Sequence, residues 1–112
     1  MILVNLTPHE VKVFVGEEVV ATYPMAAHPA RAKASAKAVG QVIVEGHTLP
    51  IFFVTFGDLQ DAPPVIEGTI YIVSQIAGQA MLAAGRSDFV LTHDPVRDDQ
   101  GKIIGCRAFA RL

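Results

Sequence analysis

Between two glycines, Gly68 and Gly85, the chain carries Thr69-Ile70-Tyr71-Ile72-Val73 and then Ser74-Gln75-Ile76-Ala77-Gly78-Gln79-Ala80-Met81-Leu82-Ala83-Ala84. The first half is β-branched and aromatic, which predicts a short buried strand. The second reads as a helix, with Ser74 placed to cap its N-terminus and Gly85 to end it in a left-handed turn. Only Gln75 and Gln79 are plainly hydrophilic on that helix, so it is expected to be packed on more than one side. It is too short to cross a bilayer. A curved sheet, a second copy of the chain, or both would have to cover it.

With 112 residues the chain fits a single β-rich domain, residues 1–112, with no room for a separate catalytic domain. Hydrophobic residues reach 51% and mean hydropathy is +0.39, yet no apolar run approaches the length of a membrane span. That excess favours a subunit interface, and a homo-oligomer is expected. A net charge of -2 argues against duplex nucleic acid as a partner, because duplex binders carry a surplus of Lys and Arg. The one cysteine, Cys106, leaves no internal disulfide framework and no multi-cysteine zinc site. Met1-Ile2-Leu3-Val4 has no basic leader and no cleavage site, so it is read as a first strand. The expected setting is the cytoplasm, with no membrane partner.

Most of the remaining chain reads as strand and turn. Ile2 to Val4 is a strand and Asn5-Leu6-Thr7-Pro8-His9 a kink, since Pro8 donates no ladder hydrogen bond. Val11 to Val15 and Glu18 to Tyr23 form a hairpin about Gly16-Glu17. From Arg31 to Ala38 charged or polar residues alternate with alanine. This favours a strand, although Pro29 and Gly40 would also bound a short helix. A second hairpin is expected from Gln41–Glu45 and Leu49–Phe56, and Ile51 to Phe56, apolar on both faces, needs cover on both. Asp58 to Glu67 reads as a surface loop. His93-Asp94-Pro95 is expected to turn the chain before a terminal hairpin over Val96–Phe109. The fold class is therefore α+β, a mostly antiparallel sheet or partial barrel with one apolar helix packed on it.

No recognised nucleotide-loop, hydrolase or metalloprotease motif is present, and no catalytic residue is assigned. His9, His28, His47 and His93 are scattered among predicted turns, so no metal or cofactor is expected. Cys106 fits a buried structural cysteine better than a nucleophile. Arginines near turns are more informative: Arg97 opens the terminal hairpin and Arg107 lies on its return arm, where the two could face each other. Such a pair repels unless an anion or a carboxylate, Asp88 or Asp98, sits between. The functional alternative is a phosphate clamp of guanidinium forks, with Phe89, Phe109 or Tyr71 stacking a base.

Asn5-Leu6-Thr7-Pro8-His9-Glu10-Val11, with Tyr71-Ile72-Val73-Ser74, Arg97-Asp98 and Gly101-Lys102-Ile103-Ile104-Gly105-Cys106-Arg107, resembles a family of short phage, prophage and bacterial proteins. The likeness runs through almost the whole chain. The family resembles the Thoeris anti-defence sponges, which sequester cyclic ADP-ribose-type signals made by bacterial TIR immune enzymes. The resemblance implies an oligomer that binds a nucleotide-derived signal without cleaving it, in the host cytoplasm if phage-encoded. Arg97 and Arg107 would then contact phosphates, with Phe89 as the stacking candidate. Arg31 and Phe109 complete the expected ligand set. An accessory phage component without a ligand, or a small nucleotide hydrolase using His9 or His93 with Asp94, are the alternatives.

Overall fold

A computed structural model describes residues 1–112. Eight strands and one helix follow in order: β1 (Ile2–Asn5), β2 (Val11–Val15), β3 (Glu18–Tyr23), β4 (Arg31–Val44), β5 (His47–Gln60), β6 (Thr69–Ile72), α1 (Gln75–Ala83), β7 (Phe89–Arg97) and β8 (Ile103–Ala110). Six of the strands form one sheet in the order β1-β6-β7-β8-β2-β3, while β4 and β5 form a separate two-stranded ribbon. The class is α+β, a partial barrel with one helix on it, as expected.

The glycine-bounded stretch is the centre of the sheet. β6 lies between β1 and β7, parallel to both, so α1 is the crossover of a β-α-β unit. Alternation along this short strand sends Tyr71 and Val73 to one face and Ile72 to the other. Tyr71 and Val73 meet Leu6, Ala30, Phe89, Ala77 and Met81 beneath the helix. Ile72 joins Val11 and Cys106, flanked by Val90 and Phe109, on the opposite face. The Ser74 side chain accepts from the Ala77 N–H at 3.2 Å. At the other end Arg86 N–H donates to the Met81 carbonyl and Gly85 N–H to that of Leu82, a Schellman ending with Gly85 at φ 79°.

Polar side chains draw the two edges of the curved sheet together. Asn5, at the end of edge strand β1, donates through Nδ2 to the Pro24 carbonyl at 3.1 Å, just beyond edge strand β3, and to the His9 carbonyl at 2.7 Å. Its Oδ1 accepts from the N–H and hydroxyl of Thr7. Thus the Asn5–His9 kink is a hydrogen-bonded clasp, and the backbone of His9 takes part in it.

Three expectations need correction. The strand from Arg31 and the following hairpin are one element: β4 runs unbroken to Val44 and pairs along its length with β5, which continues to Gln60. Bulges between Ala32 and Ala34, and between Ala38 and Gly40, keep that pairing in step through the Gly40 region. His93-Asp94-Pro95 does not turn the chain. Asp94 adopts a φ of 52° inside β7, and Pro95 is tolerated because β6 pairs with β7 only at its start, leaving this half with one neighbour. Finally, the helix buries only one face, Ala77, Gly78 and Met81, while Ile76 and Leu82 remain exposed.

Candidate functional site

Arg86 is the arginine with the most hydrogen bonds, one from each of its three nitrogens. Its Nε and Nη2 form a two-point contact with the Asp88 carboxylate at 2.9 and 2.7 Å, and Nη1 donates to the Pro63 carbonyl. The guanidinium also lies 5.9 Å from the Tyr71 ring centre, and the Tyr71 hydroxyl donates to the Pro64 carbonyl. Both side chains of the ion pair are mostly buried, with 15% and 12% exposure. The hydrogen bond from Arg86 holds the Asp88 carboxyl below its ordinary pKa, and the same bond raises that of Arg86. This group fixes the loop before β6 to the end of α1. The Arg-x-Asp spacing was its sequence signal, since residues two apart on extended chain share a face.

With Asp88 engaged there and Asp98 Oδ1 accepting from the backbone N–H groups of Gln100 and Lys102, neither expected carboxylate serves Arg97 or Arg107. Arg97 is exposed, donates through Nη1 to the Gly101 carbonyl at 2.8 Å, and has no carboxylate within 4.0 Å. Arg107 is exposed too; Nε donates to the Gly16 carbonyl at 3.2 Å and Nη2 stands 3.8 Å from Glu17, a side chain wholly in solvent. The two do not face each other. Arg97 is opposite Ile103 in the β7–β8 ladder, four residues before Arg107 along β8, roughly 13 Å at strand rise.

The other expected ligand residues lie elsewhere. Arg31 starts β4 and is 3.5 Å from Asp61 across an exposed pair. Phe89 is 4% exposed and sits under the helix, leaving no ring face open to a base. Phe109 packs against the inner cluster about Ile72. Cys106 is buried in that cluster, and desolvation pushes its thiol pKa up, which suits a structural cysteine.

Two open hollows have a different origin. One, of about 410 Å³, runs between α1 and the base of the β4–β5 ribbon, with Ala32, Phe56, Leu59, Ile76, Ala80 and Ala83 on its walls. The other, of about 630 Å³, lies where the clasp meets the N-terminus of α1, beside Thr7, His9, Ser74, Gln75 and Thr92. None of Arg31, Arg97, Arg107, Phe89 or Phe109 lines either. Both are set by contacts between distant segments, which no local motif reports. Comparison with protein-family models, curated proteins and solved structures finds no match for this chain.

Proposed function

We propose that the protein is a homo-oligomeric binding protein that captures a nucleotide-derived anionic signal, of the cyclic ADP-ribose or cyclic oligonucleotide type, without cleaving it. The observation that carries this reading is Arg97: an exposed guanidinium steadied by a backbone carbonyl and not neutralised by any carboxylate. A cation held in that way has nitrogens ready for phosphate oxygens. Arg107, with only the distant Glu17 carboxylate, supplies a second. The two lie roughly 13 Å apart along one hairpin, so a ligand using both would have to span that distance between its anionic groups.

The test is to incubate purified protein with extracts of cells making TIR-derived signals, wash it, denature it by heat and identify what is released by mass spectrometry. An intact nucleotide is expected, with at least a tenfold loss of recovery in Arg97→Ala. A cleaved product would make the protein an enzyme, and release of nothing by folded protein would refute capture of these signals. A second reading, a structural assembly component with no small ligand, draws on the exposed β4–β5 ribbon. It predicts that Arg107→Glu assembles normally and that no nucleotide raises the Tm.

A further inference from the structure

The β4–β5 ribbon is an arm rather than part of the body. The radius of gyration is 17.5 Å, against about 13 Å for a compact chain of this length, and the longest dimension is 52 Å. Along both strands nearly every side chain is exposed, including Phe52, Phe53, Phe56, Ile51 and Ile43.

Register shows how these residues are sorted. In the half near the body, Ala34, Ala36 and Ala38 stand opposite Phe56, Val54 and Phe52, making one pleat face wholly apolar. The other face of that half carries Lys33, Ser35, Lys37 and Thr55 with Phe53. Val39 is the extra residue of the bulge between Ala38 and Gly40. Beyond it the apolar side changes face: Val42 opposes Leu49, Gly40 opposes Ile51, and Val44 follows, while Gln41, Pro50 and Thr48 lie on the reverse with Ile43.

The apolar face near the body continues into the hollow of about 410 Å³, through Ala32, Phe56 and Leu59. Across from it α1 presents Ile76, Ala80 and Ala83, positions i, i+4 and i+7 of one helical stripe. Ala32, Ala80 and Ala83 leave a gap in this groove between the larger Phe56, Leu59 and Ile76, and branched apolar side chains stand exposed on the distal arm, so one chain carries both an apolar groove and apolar side chains to fill it. The apolar area left on the arm is on the order of several hundred Å², the scale of one side of a stable interface at about 800 Å² per partner. Only 16 of 112 residues are buried in the single chain, which leaves the arm and the groove as apolar surfaces that a second copy of the same chain can cover reciprocally.

We propose that the distal half of the β4–β5 arm, through Val42, Val44, Leu49 and Ile51, seats in the groove between α1 and the arm base of a second copy. This deepens the homo-oligomer of the proposed function and is independent of any ligand. The test mixes full-length Val44→Cys with full-length Ala83→Cys, oxidises the mixture, and reads disulfide-linked pairs on a non-reducing gel beside the mass in solution. Buried Cys106 serves as the background control in the parent. A linked pair at least tenfold more abundant in the mixture than in either variant alone is expected. Ile51→Asp should reduce the mass with its far-UV circular dichroism unchanged; if that variant does not fold, Ala80→Arg poses the same question from the groove side. A multiple of the chain mass with no arm-to-groove link overturns the seating while leaving an oligomer standing. A single-chain mass of 12.0 kDa overturns both. Co-sedimentation of that single chain with phosphatidylglycerol vesicles would assign the arm to a lipid surface instead.

Discussion

The clasp at Asn5 and the arm formed by β4 and β5 use polar and apolar side chains in opposite ways. At the clasp, Asn5 and Thr7 are both nearly buried, and their side chains bond to one another and to the backbone of His9, Pro24 and Thr7 itself. On the arm, twelve register pairs hold the backbone together while phenylalanines and branched side chains stand in solvent. The clasp completes the body from within one chain. The arm completes its ladder but leaves its apolar side chains in solvent.

The largest effect is expected at the clasp. Asn5→Ala removes several hydrogen bonds at once and leaves the Thr7 N–H without its acceptor in a buried setting, at a cost of about 3 kcal/mol. Urea unfolding of the variant at several protein concentrations measures it, and the loss should be the same at each, because the clasp belongs to one chain. A loss that grows on dilution would place part of the clasp's role at an interface and erase the contrast with the arm.

Next comes the ion pair just beyond the C-terminal end of α1. Asp88→Asn should cost about 2 kcal/mol at neutral pH by weakening charged hydrogen bonds to Arg86. Since the Asp88 carboxyl is held below its ordinary pKa, its contribution is complete above the unfolded value near 3.9 and is lost as pH falls through the folded one. The gap between parent and variant should therefore begin to close as pH falls below about 4 and vanish only below the lowered folded-state pKa. Arg86, raised above its ordinary value, loses its contribution only in strong alkali. Urea titrations at a series of pH values check the convergence, and a constant gap would show that the carboxylate's charge is not what matters.

The smallest effect in dilute solution belongs to the arm. Leu49→Ala, an exposed position paired with Val42, should change stability by less than about 0.5 kcal/mol at low protein concentration. At high concentration the parent's Tm should rise by mass action and the variant's should rise less. Equal concentration dependence in the two would remove Leu49 from any interface.

How far the fold was legible follows from the same contrast. The β6–α1 unit could be read because its signals are local: a β-branched run, a capping serine and a glycine at a left-handed ending all act within a few residues. The fate of His93-Asp94-Pro95 was not legible, because proline in a strand is excluded only where a neighbour wants its N–H, and β6 is too short to be that neighbour. The candidate site was legible by residue type and illegible by arrangement. Arg97 and Arg107 could be singled out, but the slide of register that places Arg97 opposite Ile103 is a pairing between strands.

By itself, then, the sequence determined a β-rich chain, its central strand and helix, its hairpins at Gly16 and in the terminal segment, and a high share of apolar residues. Only the tertiary structure decided that Arg31 to Val44 is one strand, that Asn5 joins two sheet edges, that Asp88 belongs to Arg86, and that Phe89 is core. The physical reason is range: caps, turns and periodicity are fixed by neighbours along the chain, whereas register, partner choice and burial depend on segments tens of residues apart meeting in space.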